Sequence, residues 1–364
     1  MPEIYIGLMS GTSLDGVDAV IADFDSGQVV LIAHLHQPFP ARLRAELLAL
    51  SRPGGSDEMR RGARAANELA CIYAAAARAL LAKHAIKAET VQAIGCHGQT
   101  VRHQPADGYT IQLVNGALLA ELTGVAVVCD FRSRDVAADG QGAPLAPAFH
   151  QAVFASRAAH RVIVNIGGIA NLTDLPPSGA VTGFDCGPGN LLLDAWAERH
   201  LRQPFDNDGT WASSGRVIPE LLARLLADEF LCRAPPKSAG RESFNLDWFM
   251  NRLDGGENPA DVQATLLALT TRGIVDAIER FCGGAREIYV CGGGARNAAL
   301  VALLAQQAAP RQVAATDVLG VDARHVEALA FAWLARQTLN GEPGNLPAVT
   351  GARGARILGA LYRA

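Results

Sequence analysis

A turn rich in glycine and hydroxyl groups, placed between two apolar strands, constrains the fold of this chain more than any other feature. It lies in residues 7–18, GLMSGTSLDGVD, after a predicted strand at Ile4–Met9 and before a second strand that begins at Val17. Two strands joined by so short a turn pair as an antiparallel hairpin. Gly11 and Gly16 permit positive φ angles and a close approach of the backbone to a ligand. The segment therefore predicts a β-hairpin whose turn accommodates a phosphate group.

The side chains of this turn favour an anion-binding role. Successive backbone N–H groups, together with Thr12 and Ser13, can donate to anionic oxygens. The turn contains no lysine and no helix pattern follows it, so the Walker sequence of P-loop proteins does not fit. The alternative is an ordinary hairpin turn, because glycine, serine and aspartate are common in such turns. Three polar side chains beyond those that a turn requires favour the phosphate site.

The size and charge of the chain limit its class. Its 364 residues predict two domains at a prior of ~150 residues per domain. Lysine and arginine total 32 against 36 aspartate and glutamate residues, which gives a net charge of -4. Such a balance supplies no electrostatic footprint for a nucleic acid or an anionic membrane. We therefore expect a small-molecule partner and no nucleic acid.

The cysteines and the N-terminal residues bear on location. The seven cysteines are odd in number, scattered and without a C-x-x-C pair, so they indicate neither a disulfide framework nor a zinc site. Reduced thiols are typical of the cytoplasm. The N-terminus lacks a basic leader, and no apolar run approaches the ~20 residues of a membrane span. These patterns predict a cytoplasmic protein without membrane contact.

Strand and helix patterns alternate along the chain, which is typical of α/β proteins. Apolar runs and their flanking turn residues define the elements of the first part. These are strands at 4–9, 17–24, 28–35, 91–95 and 125–130, a helix at 58–84, and a helix capped by Asn115 that ends at Gly124. A cluster of proline and glycine at 139–147 is the best candidate for a domain boundary.

The opening pattern then returns roughly one domain length later. A strand at Arg161–Ile166 breaks at Gly167 and Gly168 before another strand at Ile169–Leu175. Two such hairpins suggest two similar domains, each presenting a glycine turn to a shared cleft.

A third glycine turn completes the set. The buried strand Glu287–Cys291 leads through Gly292, Gly293 and Gly294 into a helix at 298–307. The N-terminal N–H groups of that helix would face a nucleotide.

The order of these turns is similar to that of the superfamily of sugar kinases, actins and heat-shock chaperones. More narrowly, blocks that cover nearly the whole chain resemble the signatures of the anhydro-N-acetylmuramic acid kinase family. The blocks are MSGTSLDGVD at 9–18, HGQT at 97–100, QGAPL at 141–145, NIGGIAN at 165–171, FDCGPGN at 184–190, GRESFN at 240–245, CGGGARN at 291–297 and EALAFAW at 327–333. Two departures from the family pattern are small: Cys186 stands where threonine is expected, and Asp139 lies in a less glycine-rich run.

The resemblance implies an α/β fold of two RNase H-like domains flanking an interdomain cleft. We expect the first domain to comprise residues 1–140 with a C-terminal segment of about 340–364, and to carry the first phosphate hairpin. The second domain, 141–339, would carry the second hairpin, the catalytic aspartate and the adenosine loop.

The resemblance also implies an unusual kinase reaction. ATP phosphorylates O6 of 1,6-anhydro-N-acetylmuramic acid while water opens the anhydro bridge at C1, which yields N-acetylmuramic acid 6-phosphate in the recycling of peptidoglycan. One carboxylate can serve both events by deprotonating the water. Asp185 is the candidate, because it ends an apolar stretch beside a Gly-Pro-Gly turn, where strand ends reach into clefts. The alternative is a turn-forming or capping aspartate.

Three further residues are candidates for sugar binding. His97 follows a strand and could hydrogen-bond the sugar or its lactyl carboxylate, although loop histidines are more often structural. Arg132 offers a planar donor fork suited to the same carboxylate, with a salt bridge to Asp130 or Asp135 as the alternative. The family pattern places Glu327 on the sugar hydroxyls, although a carboxylate there also favours the helix dipole.

The expected nucleotide-binding residues lie in the three glycine turns. They are Gly11, Thr12, Ser13, Leu14, Asp15, Gly16, Val17, Asp18, Gly167, Gly168, Asn171, Gly292, Gly293, Gly294 and Asn297. Mg²⁺ is implied by the nucleotide, and Asp15 and Asp18 are its candidate contacts, because this ion binds through phosphates and one or two carboxylates. Lys237 and Arg241 are expected on a solvated surface. Symmetry preferences favour a homodimer.

Two functions of other kinds stay open at this point. An actin-like or chaperone-like nucleotide switch would share the glycine turns, but nothing in the sequence resembles a polymer or peptide surface. Another sugar or acetate kinase would share them too, whereas the blocks around His97, Gly142 and Asp185 fit the anhydro-sugar family.

Overall fold

The computed structural model describes residues 2–11, 13–25, 27–239 and 243–364. The strands formed by these residues are β1 (Ile4–Met9), β2 (Gly16–Asp23), β3 (Val30–Pro38), β4 (Val91–Cys96), β5 (Gln99–Gln104), β6 (Tyr109–Leu113), β7 (Val127–Cys129), β8 (Arg161–Ile166), β9 (Ile169–Leu175), β10 (Thr182–Pro188), β11 (Glu287–Cys291), β12 (Gln312–Ala315) and β13 (Ala360–Tyr362).

The helices of the described residues are α1 (Ala41–Leu50), α2 (Glu58–Lys83), α3 (Gly116–Thr123), α4 (Ser133–Val136), α5 (Ala146–Phe154), α6 (Leu191–Leu201), α7 (Thr210–Ser214), α8 (Pro219–Leu226), α9 (Glu229–Cys232), α10 (Leu246–Met250), α11 (Pro259–Phe281), α12 (Ala298–Ala308), α13 (Val326–Leu339) and α14 (Pro347–Thr350). Asn115 caps α3 as expected, because its side chain accepts the N–H of Leu118 at 3.0 Å.

The chain divides into two compact units. Unit 1 comprises Met1–Phe149 and His325–Ala364, and unit 2 comprises His150–Arg324. The unit 1 sheet has the order β13-β7-β4-β1-β2-β3, and that of unit 2 has the order β10-β9-β8-β11-β12. In each sheet the first strand pairs antiparallel with the second and parallel with the fourth. This shared order, 3-2-1-4-5 with the second strand reversed, confirms two RNase H-like domains of α/β class.

The boundaries of the units differ from the predicted ones. The proline- and glycine-rich segment at 139–147 is no linker, because Gln141 N donates to the carbonyl of Thr350 at 2.7 Å and Gly142 N to the carboxylate of Asp135. The helix α13, expected in the second domain, packs on β1 and β4 of unit 1. Tertiary hydrogen bonds and helix packing therefore extend unit 1 at both junctions.

Two glycines set the distance between α13 and the unit 1 sheet. Gly7 of β1 and Gly95 of β4 are register partners. A Cβ atom at Gly7 would overlap the carbonyl oxygen of Ala328, and one at Gly95 would overlap that of Phe331. The backbone of α13 therefore packs directly on the sheet.

The longest helix of the described residues, α2, bears on the expectation that no apolar run approaches a membrane span. By length and composition α2 could cross a membrane, with a mean hydropathy of 1.2 in its most apolar window. Of that window 56% is buried in the protein, and residues such as Leu69, Tyr73 and Leu80 belong to the unit 1 core. The core helix of a soluble protein can have the same length and composition. The many alanines of α2 account for its mean hydropathy.

A buried histidine in unit 2 predicts a specific loss of stability in acid. Burial lowers the pKa of His150 to about 3, and its Nδ1 lies 2.8 Å from Thr173 Oγ1. The unfolded chain, with a histidine pKa of about 6.5, binds a proton that the folded chain lacks between about pH 6.5 and 3. The free energy of unfolding therefore decreases as the pH falls through this window.

The variant His150→Gln tests this expectation. Relative to wild type, it should lose about 2 kcal/mol less stability between pH 7 and pH 5, the equivalent of 1.5 pKa units. Urea unfolding curves of both proteins at the two pH values measure the difference. Equal losses in the two proteins would contradict the assignment.

Candidate functional site

The first glycine turn of unit 1 forms the predicted hairpin between β1 and β2. Its one residue with positive φ among those described is Leu14, at 58°, rather than either glycine. The predicted conformational role of Gly11 and Gly16 is therefore wrong, and their role is spatial. A Cβ at Gly16 would lie 2.8 Å from a ring carbon of His36, whereas a Cβ at Gly11 would meet no atom closer than 3.9 Å. Gly11 thus leaves open space beside the turn.

The side chains of this turn divide into two groups. Leu14 and Val17 are buried in the unit 1 core, so only their backbone groups can meet a ligand. Ser13 and Asp15 are exposed, and Ser13 Oγ donates to Asp15 Oδ1 at 2.6 Å. Asp18 Oδ1 lies 2.9 Å from His36 Nδ1. Thr12, another predicted phosphate contact, lies outside the described residues.

Buried polar side chains connect the first glycine turn to neighbouring parts of unit 1 by hydrogen bonds. Ser10 is 1% exposed, and its hydroxyl donates to the carbonyl of Gly98 at 3.0 Å while lying 2.7 Å from the hydroxyl of Tyr73. Gln99 Nε2 donates to the carbonyl of Gly11 at 3.1 Å. The loop after β4 therefore holds the backbone of the turn after β1.

His97 occupies the start of that loop. Its ring is buried; Nδ1 lies 3.1 Å from the carbonyl oxygen of Ser10, and Nε2 lies 2.9 Å from Nη2 of Arg132. Burial, followed by the nearby Arg132 charge, lowers the pKa of His97 to about 3. The imidazole is therefore neutral at physiological pH.

Arg132 is held from a second direction as well. Its Nη1 donates to the carbonyl of Gly142 at 2.7 Å. The N–H of Gly142 donates in turn to Asp135, a fully buried carboxylate that also accepts from Asn345 at 2.6 Å and Thr350 at 2.8 Å. This differs from the simple salt bridge considered for Arg132, because the N–H and the carbonyl of Gly142 lie between the Asp135 carboxylate and the Arg132 guanidinium.

Glu327 stands in the first turn of α13, as predicted. It precedes Phe331 by four residues, so the two side chains share one face of the helix. The ring of Phe331 lies 4.7 Å from that of His97 and 5.6 Å from that of Phe131. The phosphate turn, His97 and Arg132 follow the carboxyl ends of β1, β4 and β7, the usual place for ligands in such sheets.

The second glycine turn, in unit 2, is braced by the segment before α6. The carbonyl of Gly168 accepts N–H groups from Gly189 at 2.9 Å and Leu191 at 3.1 Å, and that of Gly167 accepts from Asn190 at 2.8 Å. Because its carbonyls are held inward, the turn keeps a fixed backbone conformation.

Three polar residues lie opposite one another on neighbouring strands of the unit 2 sheet. Asp185 of β10 is the register partner of Asn171 of β9, which in turn faces Asn165 of β8, and Asn165 pairs with Cys291 of β11. Directly opposed residues present side chains on the same face of a sheet. The row therefore leads from the predicted catalytic aspartate to Gly292, the first residue of the third glycine turn.

Asp185 is fixed by a segment that follows α9. Its N–H donates to the carbonyl of Lys237 at 3.1 Å, and its Oδ2 accepts the N–H of Ala239 at 2.8 Å. A bulge between Asp185 and Gly187 interrupts the pairing with β9 and turns the strand at this point. The first contact thus holds the backbone at Asp185, and the second orients the carboxylate.

Lys237 is not part of a solvated surface as expected. It is 6% exposed, and its Nζ donates to the backbone carbonyl of Phe230 at 3.0 Å. The same nitrogen lies 4.9 Å from the centre of the Phe230 ring. Burial lowers its pKa from the ordinary lysine value. Lys237 thus anchors the segment that holds Asp185, whereas Arg241 lies outside the described residues.

The third glycine turn connects β11 to α12. Gly292 has a φ of 79°, and a Cβ there would overlap the amide oxygen of Asn165. Both the positive φ and the overlap with Asn165 therefore exclude a residue with a Cβ atom at this position. Asn297 caps α12, since its Oδ1 accepts the N–H of Leu300 at 3.0 Å. Its side chain thus has a structural partner in addition to the predicted nucleotide role.

Within the described ranges, no group of three or more histidine, cysteine, aspartate or glutamate residues could hold a metal ion. The exposed carboxylate of Asp15, beside the phosphate turn, fits an ion that is held mainly by phosphates and water.

Sequence reasoning missed several residues that support the site. Each is buried and has a polar side chain, which is the signal that could have found it, but partners such as Gly98 for Ser10 and Thr350 for Asp135 are remote in the sequence. They are Ser10, Tyr73, Gln99, Asp135, Asn165 and Lys237.

These features define the class of the protein. Each unit carries the same strand order and a glycine turn between its first two strands, and unit 2 adds a glycine turn after β11. This is the architecture of the superfamily of sugar kinases, actins and heat-shock chaperones.

The chain belongs to the anhydro-N-acetylmuramic acid kinase family, whose family model matches residues 3–364. A relative of that name from Nitrosospira multiformis is 58% identical over 362 residues, and one from Nitrosomonas europaea is 56% identical over 362 residues, each covering 99% of both chains. One from Chromobacterium violaceum is 54% identical over 100% of both chains. Among solved structures, an activator of 2-hydroxyisocaproyl-CoA dehydratase from Clostridium difficile, with bound ADPNP, has a TM-score of 0.47 and 13% identity over 93% of this chain and 96% of its own.

The space beside Gly11 gives a testable expectation for nucleotide binding. In Gly11→Val the added side chain would fill the open space beside the turn, so affinity for ATP should fall by more than tenfold while the melting temperature changes little. Calorimetric titration with a non-hydrolysable ATP analogue, together with a melting curve, measures both. Wild-type affinity in this variant would refute the phosphate role of the turn.

Proposed function

We propose that this chain phosphorylates 1,6-anhydro-N-acetylmuramic acid with ATP and hydrolyses its anhydro bridge in the same reaction. The products are N-acetylmuramic acid 6-phosphate and ADP, and the role is in the recycling of peptidoglycan. Full-length membership of the family supports the substrate. The observation that carries the chemistry is Asp185, a half-buried carboxylate oriented by the N–H of Ala239 at 2.8 Å.

Asp185 serves as the general base in this proposal. Its carboxylate takes a proton from the water that attacks C1, and the bond between C1 and O6 breaks as the new bond between C1 and the water oxygen forms. O6 leaves with the electron pair of that bond and attacks the γ-phosphorus, which releases ADP. The segment at 237–239 holds the carboxylate in place, so the base does not have to be reoriented during the reaction.

The glycine turns bind the nucleotide. Backbone N–H groups at Gly11, Gly167 and Gly168 donate to phosphate oxygens, and Gly292, Gly293 and Gly294 accept the close approach of the nucleoside. Mg²⁺, when bound to the phosphates, neutralises charge that develops at the transferred group, and Asp15 is the residue that would hold it.

Arg132 and Glu327 bind the sugar. The guanidinium of Arg132 pairs with the lactyl carboxylate, for which its planar fork is suited. Glu327 accepts hydrogen bonds from sugar hydroxyls at the start of α13. A cytoplasmic location and a homodimer are further parts of the proposal, and both follow from general preferences of soluble metabolic enzymes.

Mass spectrometry of the product formed from ATP and 1,6-anhydro-N-acetylmuramic acid tests the proposal. We expect a species with the mass of the sugar plus one water and one phosphoryl group. A panel of free sugars and acetate serves as the comparison. ATP turnover that is independent of any sugar would support a nucleotide switch, and phosphorylation without added water would point to an ordinary sugar kinase.

A further inference from the structure

The two ring nitrogens of His97 have different protein partners, and these partners fix its tautomer. The carbonyl oxygen of Ser10, 3.1 Å from Nδ1, accepts hydrogen bonds and cannot donate them. Arg132 donates and cannot accept, and its Nη2 and Nε lie 2.9 and 3.2 Å from Nε2. Nδ1 therefore carries the proton and Nε2 the lone pair. This neutral form agrees with the depressed pKa of the buried ring.

The contact with Ser10 constrains the phosphate turn directly. The carbonyl of Ser10 and the N–H of Gly11 belong to one planar trans peptide, in which they point in opposite directions. By holding the carbonyl inward, His97 directs the N–H of Gly11 away from the protein interior. Gln99 holds the next carbonyl, that of Gly11, in the same way at 3.1 Å.

The contact between Nε2 of His97 and Arg132 constrains the guanidinium of that arginine. The guanidinium is held by His97 at Nη2 and Nε and by the Gly142 carbonyl at Nη1, 2.7 Å away. The ring of His97 also lies against that of Phe331, one helical turn after Glu327. The side chain of His97 thus contacts the backbone of the phosphate turn, the guanidinium of Arg132 and the ring of Phe331, which lies on the same helix face as Glu327.

We propose that His97 is a positioning residue that joins the phosphate turn to Arg132, so that both are held in one geometry before substrates bind. The inference rests on the proposed function, in which the turn binds phosphate and Arg132 binds the carboxylate of the sugar. It assigns His97 a role through its neighbours instead of the direct contact with the sugar that the sequence suggested.

Two substitutions separate the halves of the link. In His97→Asn the amide nitrogen replaces Nδ1 and keeps the contact with Ser10, but nothing replaces the acceptor for Arg132. In His97→Gln the amide oxygen reaches the position of Nε2 and keeps the contact with Arg132, but the donor to Ser10 is lost. His150→Gln, which alters an equally buried histidine in unit 2, is the matched control.

Calorimetry with a non-hydrolysable ATP analogue and with the anhydro sugar provides the readout. Loss of a hydrogen bond to a charged group is worth roughly a tenfold change in affinity. We expect His97→Asn to weaken sugar binding about tenfold with nucleotide affinity nearly unchanged, and His97→Gln to weaken nucleotide binding about five- to tenfold with less effect on the sugar. In the wild type, nitrogen NMR of the imidazole should report a neutral ring protonated at Nδ1.

Other outcomes would overturn the inference. Weakened sugar binding in both variants with unchanged nucleotide affinity would assign His97 to direct contact with the sugar. Lowered melting temperatures with both affinities unchanged, as expected for His150→Gln, would make it a core residue only. If the wild type itself bound neither ligand, the proposed function would fail, which is a separate result from wild-type binding with unaffected variants.

Discussion

Replacement of Asp185 by asparagine is expected to lower kcat by ~10² to 10⁴, the usual worth of a positioned general base. Asparagine has the same shape and can still accept the N–H of Ala239, so the loop and the fold should be preserved. The affinities for ATP and for the sugar should therefore stay within a few-fold of wild type. Steady-state kinetics and calorimetry on the same preparation separate the two effects.

Both halves of the reaction should fail together in this variant, because the opening of the ring generates the nucleophile. In the wild type, a reaction run in ¹⁸O-labelled water should place the label on C1 of the product and none on the new phosphate ester. A labelled phosphate ester, or an asparagine variant that opens the ring at the normal rate, would show that another group carries the chemistry.

The second large effect concerns stability. In Gly7→Ala the new methyl group would overlap the carbonyl oxygen of Ala328, and it would lie 3.1 Å from the backbone nitrogen of Ala332. Both obstacles are backbone atoms, which cannot rotate away, so α13 must move off the sheet. Overpacking costs about 1 to 3 kcal/mol, and a clash with backbone atoms places this substitution near 3 kcal/mol. We expect the melting temperature to fall by roughly 10 °C.

Gly62→Ala is the matched control in the same unit. The nearest atom to a Cβ at this position of α2 lies 3.8 Å away, on Leu113. The substitution should leave the melting temperature unchanged or raise it, because alanine is favoured over glycine in a helix by up to about 1 kcal/mol. Equal melting curves for Gly7→Ala and Gly62→Ala would show that the spacing of α13 from the sheet is not under steric control.

The strands next to the glycine turns were predictable from the sequence. The bounds of β1, β8, β9 and β11 agree with the predicted ones residue for residue. Each strand begins or ends next to a glycine or a charged residue, and this local signal marks the same bounds in the folded protein. The repeated order of strands and turns was likewise readable, since it depends on elements near one another in the chain.

The supports of the site were not predictable in the same way. His97 and Ser10 are separated by 87 positions, and Asp135 and Thr350 by 215. No local pattern reports such partners, because a buried polar side chain takes whichever partner the tertiary structure brings to it. Gly7 and Gly95 are a related case. A glycine inside a strand predicts a weaker strand, and only the packing of α13 explains why these two positions are glycine.

The assignments of ligand roles stay predictions for the same physical reason. The described residues bring His97, Arg132 and the phosphate turn together. The experiments on Gly11, His97 and Asp185 each address one of these roles separately.

The division of unit 1 into two chain segments has a consequence for the order of folding during synthesis. The ribosome releases β1 and β4 early, but α13, which covers their glycines, emerges only after all of unit 2 has been made. Until then one face of the first sheet lacks its cover, and such exposed apolar surface is prone to aggregation. Unit 2 is a single continuous segment, so it can complete its core first although it is made second.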